Sequence, residues 1–558
     1  MIKKLYLPLV ALLVLAFSSC SKMGELSPDY FTTNPEVLEA IGGKVPVTIT
    51  GKFPEKYFKK NATVEVTPVL RWEGGEAKGQ PATFQGEKVQ GNDQTISYKT
   101  GGTYTMKASF DYVPEMAKSE LYLDFKIKKG KKEYTIPSVK IADGVIATSE
   151  LPTVNSANAA YAPDAFQRII KQAKEAQIMF LIQQANLRAS ELKSDSLKAF
   201  HKQVVAVAGD TKNYKLNNIE ISAYASPDGG VELNTTLAEN RQNNTEKYMN
   251  QQLKKGKIET EVDAKYTAQD WDGFQELVSK SNIQDKDLIL RVLSMYSDPE
   301  QRETEIKNIS SVYKTLADEI LPQLRRARLT ANYDIIGRSD DEINEAFNSD
   351  PKVLSVEELL YAATLTNDNA RKEAIFNKTT QLYPNDFRAY NNLGELAFAA
   401  GDAAKAESYF KQAASKNANA PEVNANLGLC ELVKGNVAAA ETYLGKATGA
   451  NAAGEALGNL YIKQGQYDRA VNSFGDAKTN SAAQAQILAK DYNKAKATLS
   501  AIKNPDAMTD YLMAIVGART NNASLVSSSI KSAIAKDPSM AEKAANDREF
   551  AKYADAIK

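Results

Sequence analysis

Residues 389–394 read Ala-Tyr-Asn-Asn-Leu-Gly and residues 423–428 read Val-Asn-Ala-Asn-Leu-Gly, so one pattern returns after 34 residues. Gly401 returns at Gly435 with the same step, and a shorter third unit begins at Leu457-Gly458. Small alanines between apolar positions, with one glycine between two helical stretches, indicate repeated helix pairs. Because one helix pair cannot bury its apolar face alone, neighbouring pairs are expected to stack into a curved all-α solenoid over residues 352–558.

This step, with Leu-Gly, a turn glycine and alanines where helices cross, resembles tetratricopeptide repeats. The resemblance implies a concave groove that binds protein partners as helices or extended peptides. Four asparagines of the repeating stretch are candidate groove contacts: Asn391, Asn392, Asn424 and Asn426. The alternative is that several of them only satisfy backbone groups between helices.

The region before the repeats, residues 164–339, has a mixed α/β pattern. Residues 258–266 alternate between apolar and charged side chains, which predicts a strand with one buried face. Other strands are expected at 178–187, from 219, and at 329–335, with helices at 194–207 and 236–254. Apolar stripes between 274 and 320 predict a helical insertion. The predicted order is β-α-β-α-β, then the insertion, then a final strand.

One stretch of this domain suggests a ligand. Residues 219–229 read Ile-Glu-Ile-Ser-Ala-Tyr-Ala-Ser-Pro-Asp-Gly, and Asn234, Leu237 and Arg241 follow with helical spacing. The stretch resembles the C-terminal domain of outer-membrane protein A and peptidoglycan-associated lipoproteins, in an insertion-bearing variant typical of Bacteroidota. In that family an aspartate of the turn and the helix arginine grip the charged ends of diaminopimelate in peptidoglycan. Complementary charge and a bidentate guanidinium suit such a zwitterionic ligand.

The sequence departs from this family at the ligand site, because Ser226 stands where the family has its aspartate. Asp228 lies two places further on, beyond a proline, and would substitute only if the turn were re-aimed. The candidate peptidoglycan-binding residues are therefore Arg241, Asp228, Asn234 and Ser226. The alternative is that Arg241 pairs with a neighbouring surface carboxylate on a retained scaffold.

From about Val45 to Ala147 the sequence alternates with period two and is rich in β-branched and aromatic residues, with glycine pairs as turns, which predicts an all-β, sandwich-like domain over residues 20–150. Small, polar and proline-punctuated residues at 151–163 predict a linker. A basic run within the β domain is expected to form a solvated hairpin tip, with phospholipid or lipopolysaccharide head groups as an alternative contact. It comprises Lys126, Lys128, Lys129, Lys131 and Lys132.

The chain begins with Lys3 and Lys4, an apolar run to Phe17, and then Ser18-Ser19-Cys20. Small residues before one cysteine are what a lipoprotein signal peptidase needs, so residues 1–19 are predicted to be a signal peptide and Cys20 the lipidated residue. The alternative is an ordinary secretory signal. The residues that follow Cys20 lack the acidic cluster that surface-exported Bacteroidota lipoproteins resemble one another in carrying, which favours the periplasmic face.

Composition narrows the function classes. Lys+Arg and Asp+Glu both number 69, so no overall field favours nucleic acid. A single histidine, His201, and two cysteines argue against His-based metal sites and Ser/His or Cys/His catalysis, and no cofactor motif is present.

These observations predict a non-catalytic scaffold, anchored to the outer membrane on its periplasmic face. It would bind envelope proteins through its repeats and, through its OmpA-like domain, link them to peptidoglycan. The alternative is a surface-exposed structural or adhesive lipoprotein whose β domain binds a glycan or an appendage subunit.

Overall fold

The computed structural model describes residues 23–283 and 285–555, without the side chains of residues 310–312. Cys20, the predicted lipidation site, lies outside the described residues. The chain forms two compact units. The first comprises the described residues of Met1–Asp164 and Thr366–Lys558, and the second is Ala165–Leu365. Each unit is described by itself.

The first unit begins with a β-rich domain, as predicted. Its strands are β1 (Phe31–Asn34), β2 (Leu38–Glu39), β3 (Lys44–Phe53), β4 (Ala62–Trp72), β5 (Gly75–Lys78), β6 (Ala82–Gly86), β7 (Gln94–Ile96), β8 (Gly102–Asp111), β9 (Glu120–Lys129), β10 (Lys132–Asp143) and β11 (Val145–Ile146). They form the sheets β1-β3-β8, β10-β9-β4-β6-β7 with β5 on β4, and β11-β2.

Alternating side chains of these strands fill the β core, which is why the sequence shows period two. A group of aromatic rings lies at its centre, where Phe53 contacts Phe84 and Tyr104 with ring centroids 5.6 and 5.3 Å away. Phe31 of β1 packs on Phe125 of β9 at 5.9 Å, which joins the two larger sheets.

The second unit is an α/β fold. Its elements are β12 (Ile169–Met179), α1 (Ala189–Leu192), α2 (Asp195–Gly209), β13 (Tyr214–Tyr224), α3 (Val231–Gly256), β14 (Glu261–Thr267), α4 (Trp271–Lys280), α5 (Lys286–Met295), α6 (Pro299–Asn308), α7 (Ser310–Thr315), a π-helical turn (Leu316–Ile320), α8 (Leu321–Leu324), β15 (Arg326–Ile336), α9 (Asp340–Ser349) and α10 (Val356–Ala362). The sheet order is β12-β15-β13-β14.

The order of strands, helices and insertion matches the predicted order, but the first strand was placed wrongly. β12 ends at Met179, whereas residues 178–187 were expected to form the strand. From Phe180 onward the backbone leaves the sheet, and the carbonyls of Leu181 and Gln184 accept hydrogen bonds from Arg241 instead. The apolar run alone could not show this exchange of partners.

The C-terminal part of the first unit, residues 366–558, is all-helical, as predicted. Its helices are α11 (Asn369–Leu382), α12 (Phe387–Ala399), α13 (Ala403–Lys416), α14 (Pro421–Val433), α15 (Val437–Leu444), α16 (Ala453–Lys463), α17 (Tyr467–Phe474), α18 (Asn480–Leu488), α19 (Tyr492–Ser500), α20 (Ala507–Arg519), α21 (Ala523–Lys536) and α22 (Met540–Asn546). Consecutive helices pack as antiparallel pairs.

The repeated Leu-Gly has a packing reason. A Cβ at Gly394 would lie 2.4 Å from the ring of Phe410, one at Gly428 2.7 Å from Leu444, and one at Gly458 2.5 Å from the Phe474 ring. Each glycine therefore lets the next helix approach closely enough to bury its large side chain. Cys430 packs in the same core, where burial raises the pKa of its thiol to about 12.

Candidate functional site

The segment predicted to be a free linker instead lies along the repeat helices. Residues 148–162, here called the strap, contain two 3₁₀ turns, Thr148–Glu150 and Val154–Ser156, and are otherwise without regular structure. Leu151, Val154 and Ala160 of the strap are buried within the hydrophobic clusters of the helices. The small residues of this segment predicted a flexible linker. In the structure, they let the strap backbone approach the helices closely.

Asparagines of α12 and α14 pair with the strap backbone. Asn392 accepts a hydrogen bond from the Ala162 N–H at 2.8 Å and donates one to the Ala162 carbonyl at 2.9 Å. Asn426 does the same with Ala160, at 2.6 and 2.8 Å. A side-chain amide that donates to and accepts from one residue replaces the pairing that a neighbouring strand would supply.

The other two candidate asparagines, Asn391 and Asn424, differ from each other in their hydrogen-bond partners. Asn391 donates to the Ala160 carbonyl at 2.8 Å and accepts from Asn426 at 2.9 Å, so it joins the same network. Asn424 instead donates to the carbonyls of Ala418 and Ala420, just before the start of its own helix. Three of the four therefore contact an extended segment, which is the chain's own, and Asn424 follows the predicted alternative.

The other half of the strap is held by residues that the sequence analysis did not single out. Gln484 of α18 donates to the Thr148 carbonyl at 2.7 Å and accepts from the Thr153 hydroxyl, and Ser481 donates to the Thr153 carbonyl at 2.7 Å. Every residue of α18 is buried, although it contains Ser481 and two glutamines. Buried polar side chains within one helix are the signal that could have indicated a bound segment.

Polar pairs outside the core also join the strap to the repeat helices. Asn451 accepts from the Tyr161 N–H and donates to its carbonyl, at 3.0 and 2.9 Å. Glu455 accepts from the backbone and the side chain of Asn158 at 3.0 and 2.8 Å. Most of these bonds go to backbone atoms, so the helices recognise the extended conformation of the strap more than its side chains.

A cleft of about 610 Å³ stays open beside the strap. One wall is formed by residues 155–159 of the strap. The others are formed by α12, with Glu395 and Phe398, and by the loops that precede α18 and α20, with Lys478 and Asp506. Glu395 is half-buried, and this burial raises the pKa of its carboxyl group, with Lys372 as the neighbouring cation that opposes the shift. The cleft is thus mixed in charge, with a partly desolvated carboxylate available to a cationic group.

The second candidate site is the turn that follows β13, where Arg241 is fully buried. Its guanidinium donates to the carbonyls of Gln184, Tyr224 and Leu181 at 3.0, 2.7 and 3.3 Å. Burial, together with the charge of Arg325, lowers the pKa of Arg241 to about 10. The predicted surface ion pair is not found, because backbone carbonyls take up the guanidinium donors.

The remaining residues of this site shape the turn and pair with a residue that sequence reasoning missed. Asn234 donates to the carbonyls of Ser226 and Gly229 at 3.1 and 3.0 Å, which fixes the turn. Arg325 donates to the Ser226 hydroxyl at 3.4 Å and to Oδ2 of Asp228 at 3.2 Å. The buried Oδ1 of Asp228 has no hydrogen-bond partner among the described residues. Arg325 follows the helical insertion, so no local pattern connects it with the turn.

Comparison with known proteins identifies the helical repeats. Family models described as tetratricopeptide repeat match residues 368–421, 397–457 and 455–483. The C-terminal part of the chain therefore contains tetratricopeptide repeats, which indicate a protein-protein interaction scaffold. No curated protein matches the chain.

Several solved structures match part of the chain at low identity and low TM-score. A tetratricopeptide repeat protein from Parabacteroides merdae is 14% identical over 36% of this chain and 88% of its own, with a TM-score of 0.28. The Pseudomonas aeruginosa pilF structure is 13% identical over 36% and 95%, with a TM-score of 0.26. The Cut9-Hcn1 structure of the APC/C is 16% identical over 39% of this chain, with a TM-score of 0.30, and the match spans 45% of that chain.

Within residues 23–283 and 285–555, no helix has the length and apolar character needed to cross a membrane. The same residues contain no group of three or more His, Cys, Asp or Glu side chains placed to hold a metal ion.

Asn426→Ala is expected to loosen the strap, because the buried N–H of Ala160 loses its partner at a cost of about 1–3 kcal/mol, while the Ala160 carbonyl keeps only the hydrogen bond from Asn391. Hydrogen exchange at the Ala160 and Ala162 amides should accelerate by about tenfold or more. Asn424→Ala is the matched control, since Asn424 bonds within its own helix start. Equal exchange at these amides in both variants would contradict the assignment.

Arg241→Lys is expected to destabilise the α/β unit by about 2–3 kcal/mol, because one ammonium cannot serve three carbonyls held in a fork geometry. Urea unfolding followed by Trp271 fluorescence measures this, with Trp72 replaced by Phe in every variant. Arg328→Lys, at a partly exposed position of β15, should leave the midpoint nearly unchanged. Coincident unfolding curves for the two variants would refute the structural role of Arg241.

Proposed function

We propose that this protein is a non-catalytic, lipid-anchored scaffold of the bacterial outer membrane, which binds envelope proteins with its tetratricopeptide repeats on the periplasmic side. The observation that carries the proposal is that side chains of α12 and α14 hold an extended polypeptide, the strap, through its backbone. Side chains arranged for this task suit protein recognition rather than turnover of a small molecule.

The strap already occupies the asparagines of these helices, so partners are assigned to the open cleft beside it. A partner segment there would run next to residues 155–159 and present a cationic group to Glu395. The half-buried carboxylate favours such a group because ion pairing offsets the cost of its desolvation.

The anchor and the location rest on the sequence. Ser18-Ser19-Cys20 after a basic and apolar signal supports acylation of Cys20, and the lack of an acidic cluster behind it supports the periplasmic face, in an organism of the Bacteroidota. Labelled palmitate should be incorporated by the native chain and lost in Cys20→Ser. Protease shaving of intact cells that removed the β domain would favour the surface-exposed alternative instead.

Glu395→Lys is expected to abolish capture of the envelope partner, because the new cation repels the group that the carboxylate attracts. The measurement is crosslinking and co-purification from envelopes, scored for one stable partner of the native chain. Glu441→Lys is the matched control, since Glu441 is exposed on α15 and does not line the cleft. Loss of the partner in both variants, or in neither, would refute the cleft as the binding site.

A second function, attachment to peptidoglycan, is supported by the buried Oδ1 of Asp228, which lies beside Arg325 and has no hydrogen-bond partner in the described part of the chain. An oxygen in this position suits the ammonium end of diaminopimelate, whereas Arg241 is committed to the backbone. Retention on purified sacculi should fall about tenfold or more in Asp228→Asn, which keeps the size of the side chain but removes its charge. Asp272→Asn, at an exposed position of α4, is the control. Equal retention of both variants, or no retention of the native chain, would refute this function.

A further inference from the structure

One end of the β domain, where β4 begins and β9 ends, is rich in lysine. Ala62 pairs with Lys129 there, the Lys88 N–H donates to the Lys60 carbonyl at 2.6 Å, and the Lys56 N–H donates to the Tyr98 carbonyl at 2.6 Å. Three loops and one hairpin thus meet at this end, here called the lysine pole and made of residues 54–61, 86–89, 97–101 and 128–133. Its nine lysines are Lys56, Lys59, Lys60, Lys88, Lys99, Lys128, Lys129, Lys131 and Lys132.

Carboxylates do not balance this charge. The lysine pole contains three glutamates, of which Glu87 pairs with Lys60 at 3.5 Å and Glu133 pairs with Lys126 at 2.7 Å. The first described turn of the chain adds Glu25 and Asp29. Nine lysines against five carboxylates leave a local excess of positive charge, in a chain whose charges cancel overall at 69 of each sign.

The described chain enters the β domain at the same end. The Met23 N–H donates to the hydroxyl of Tyr134 at 3.1 Å, and the hydroxyl of Tyr57 donates to the Gly24 carbonyl at 2.5 Å. Met23 and Leu26 are buried in the β core, so this attachment is fixed by packing as well. Cys20 precedes Met23 by three residues, so covalent geometry keeps the two Cα atoms within about 11 Å of each other.

The opposite end of the β domain is attached to the repeats of the same unit. Glu39 pairs with Arg519 at 2.7 Å, and Asp143 lies 3.5 Å from Arg548. β4 runs between the two ends, and its 11 residues correspond to about 35 Å. The β domain therefore separates the lysine pole, with the chain entry, from the repeats by the length of a strand.

We infer that the lysine pole docks on the anionic phospholipid headgroups of the membrane that holds the anchor. The inference rests on the proposed acylation of Cys20, which would place the bilayer surface within reach of the nine lysines. Lysine ammonium groups near an anionic bilayer bind its phosphates additively, and the interaction weakens within a Debye length. The acyl chains supply retention, and the lysines set orientation, so that the β domain holds the repeats away from the bilayer.

The test uses the non-acylated chain of residues 21–558, which contains every described residue, and three kinds of vesicle: phosphatidylethanolamine alone, with phosphatidylglycerol, and with lipid A. At low salt the chain should co-sediment with the phosphatidylglycerol vesicles, and binding should disappear in about 1 M salt, where the Debye length is about 3 Å. Lys128→Glu, Lys131→Glu and Lys132→Glu together should weaken binding by at least about tenfold. The matched control combines Lys494→Glu, Lys496→Glu and Lys531→Glu, which change the net charge equally on exposed positions of the repeats.

Binding that is lost in the hairpin variant and kept in the control supports the inference, provided that circular dichroism shows both variants folded. No binding by the native chain, equal loss in both variants, or binding to lipid A vesicles alone would overturn it. Since the assayed chain has no acyl group, its result is independent of palmitate labelling and partner capture, so failure here and failure of the proposed function remain distinguishable.

Discussion

The unit that contains the repeats depends on hydrogen bonds from helix side chains to the backbone of residues 148–162. A polypeptide buried among helices cannot leave its N–H and C=O groups without partners, and among residues 23–283 and 285–555 no strand pairs with this segment to supply them. Amides of α12, α14 and α18 take the place of that strand. Because the strap is continuous with the β domain, these bonds join β strands and helical repeats in one compact unit.

An ion pair also joins the β domain to the last helices of the same unit. Arg519 contacts Glu549 at 2.6 Å and Glu39 of the β domain at 2.7 Å, and the Thr148 hydroxyl donates to Glu549 at 2.6 Å. Burial raises the pKa of Glu549, while the guanidinium opposes this shift. Such a pair is maintained only when every partner is present, so the β domain, the strap and the final repeat depend on one another.

The extent to which the fold could be predicted follows from the range of the interactions involved. The 34-residue step located α12 to α15 because close helix crossing imposes small residues at a fixed period. Alternation of apolar and polar residues located the long β strands, because successive side chains of a strand point to opposite faces of the sheet. The strap was predicted to be a linker, because composition indicates flexibility but does not reveal distant partners. Asn392, which holds Ala162, lies 230 residues further along the chain. The contact between Arg325 and Asp228, which are 97 residues apart, was not predicted for the same reason.

The strap is a ligand that is covalently attached to its own receptor. Its local concentration at the groove is set by the chain and corresponds to the millimolar range for short linkers. A free peptide that offers only the same backbone contacts must exceed this concentration before it occupies half of the sites. Competition from the strap therefore disfavours general peptide binding at the asparagines that hold it. A partner gains affinity only from contacts that the strap does not already make.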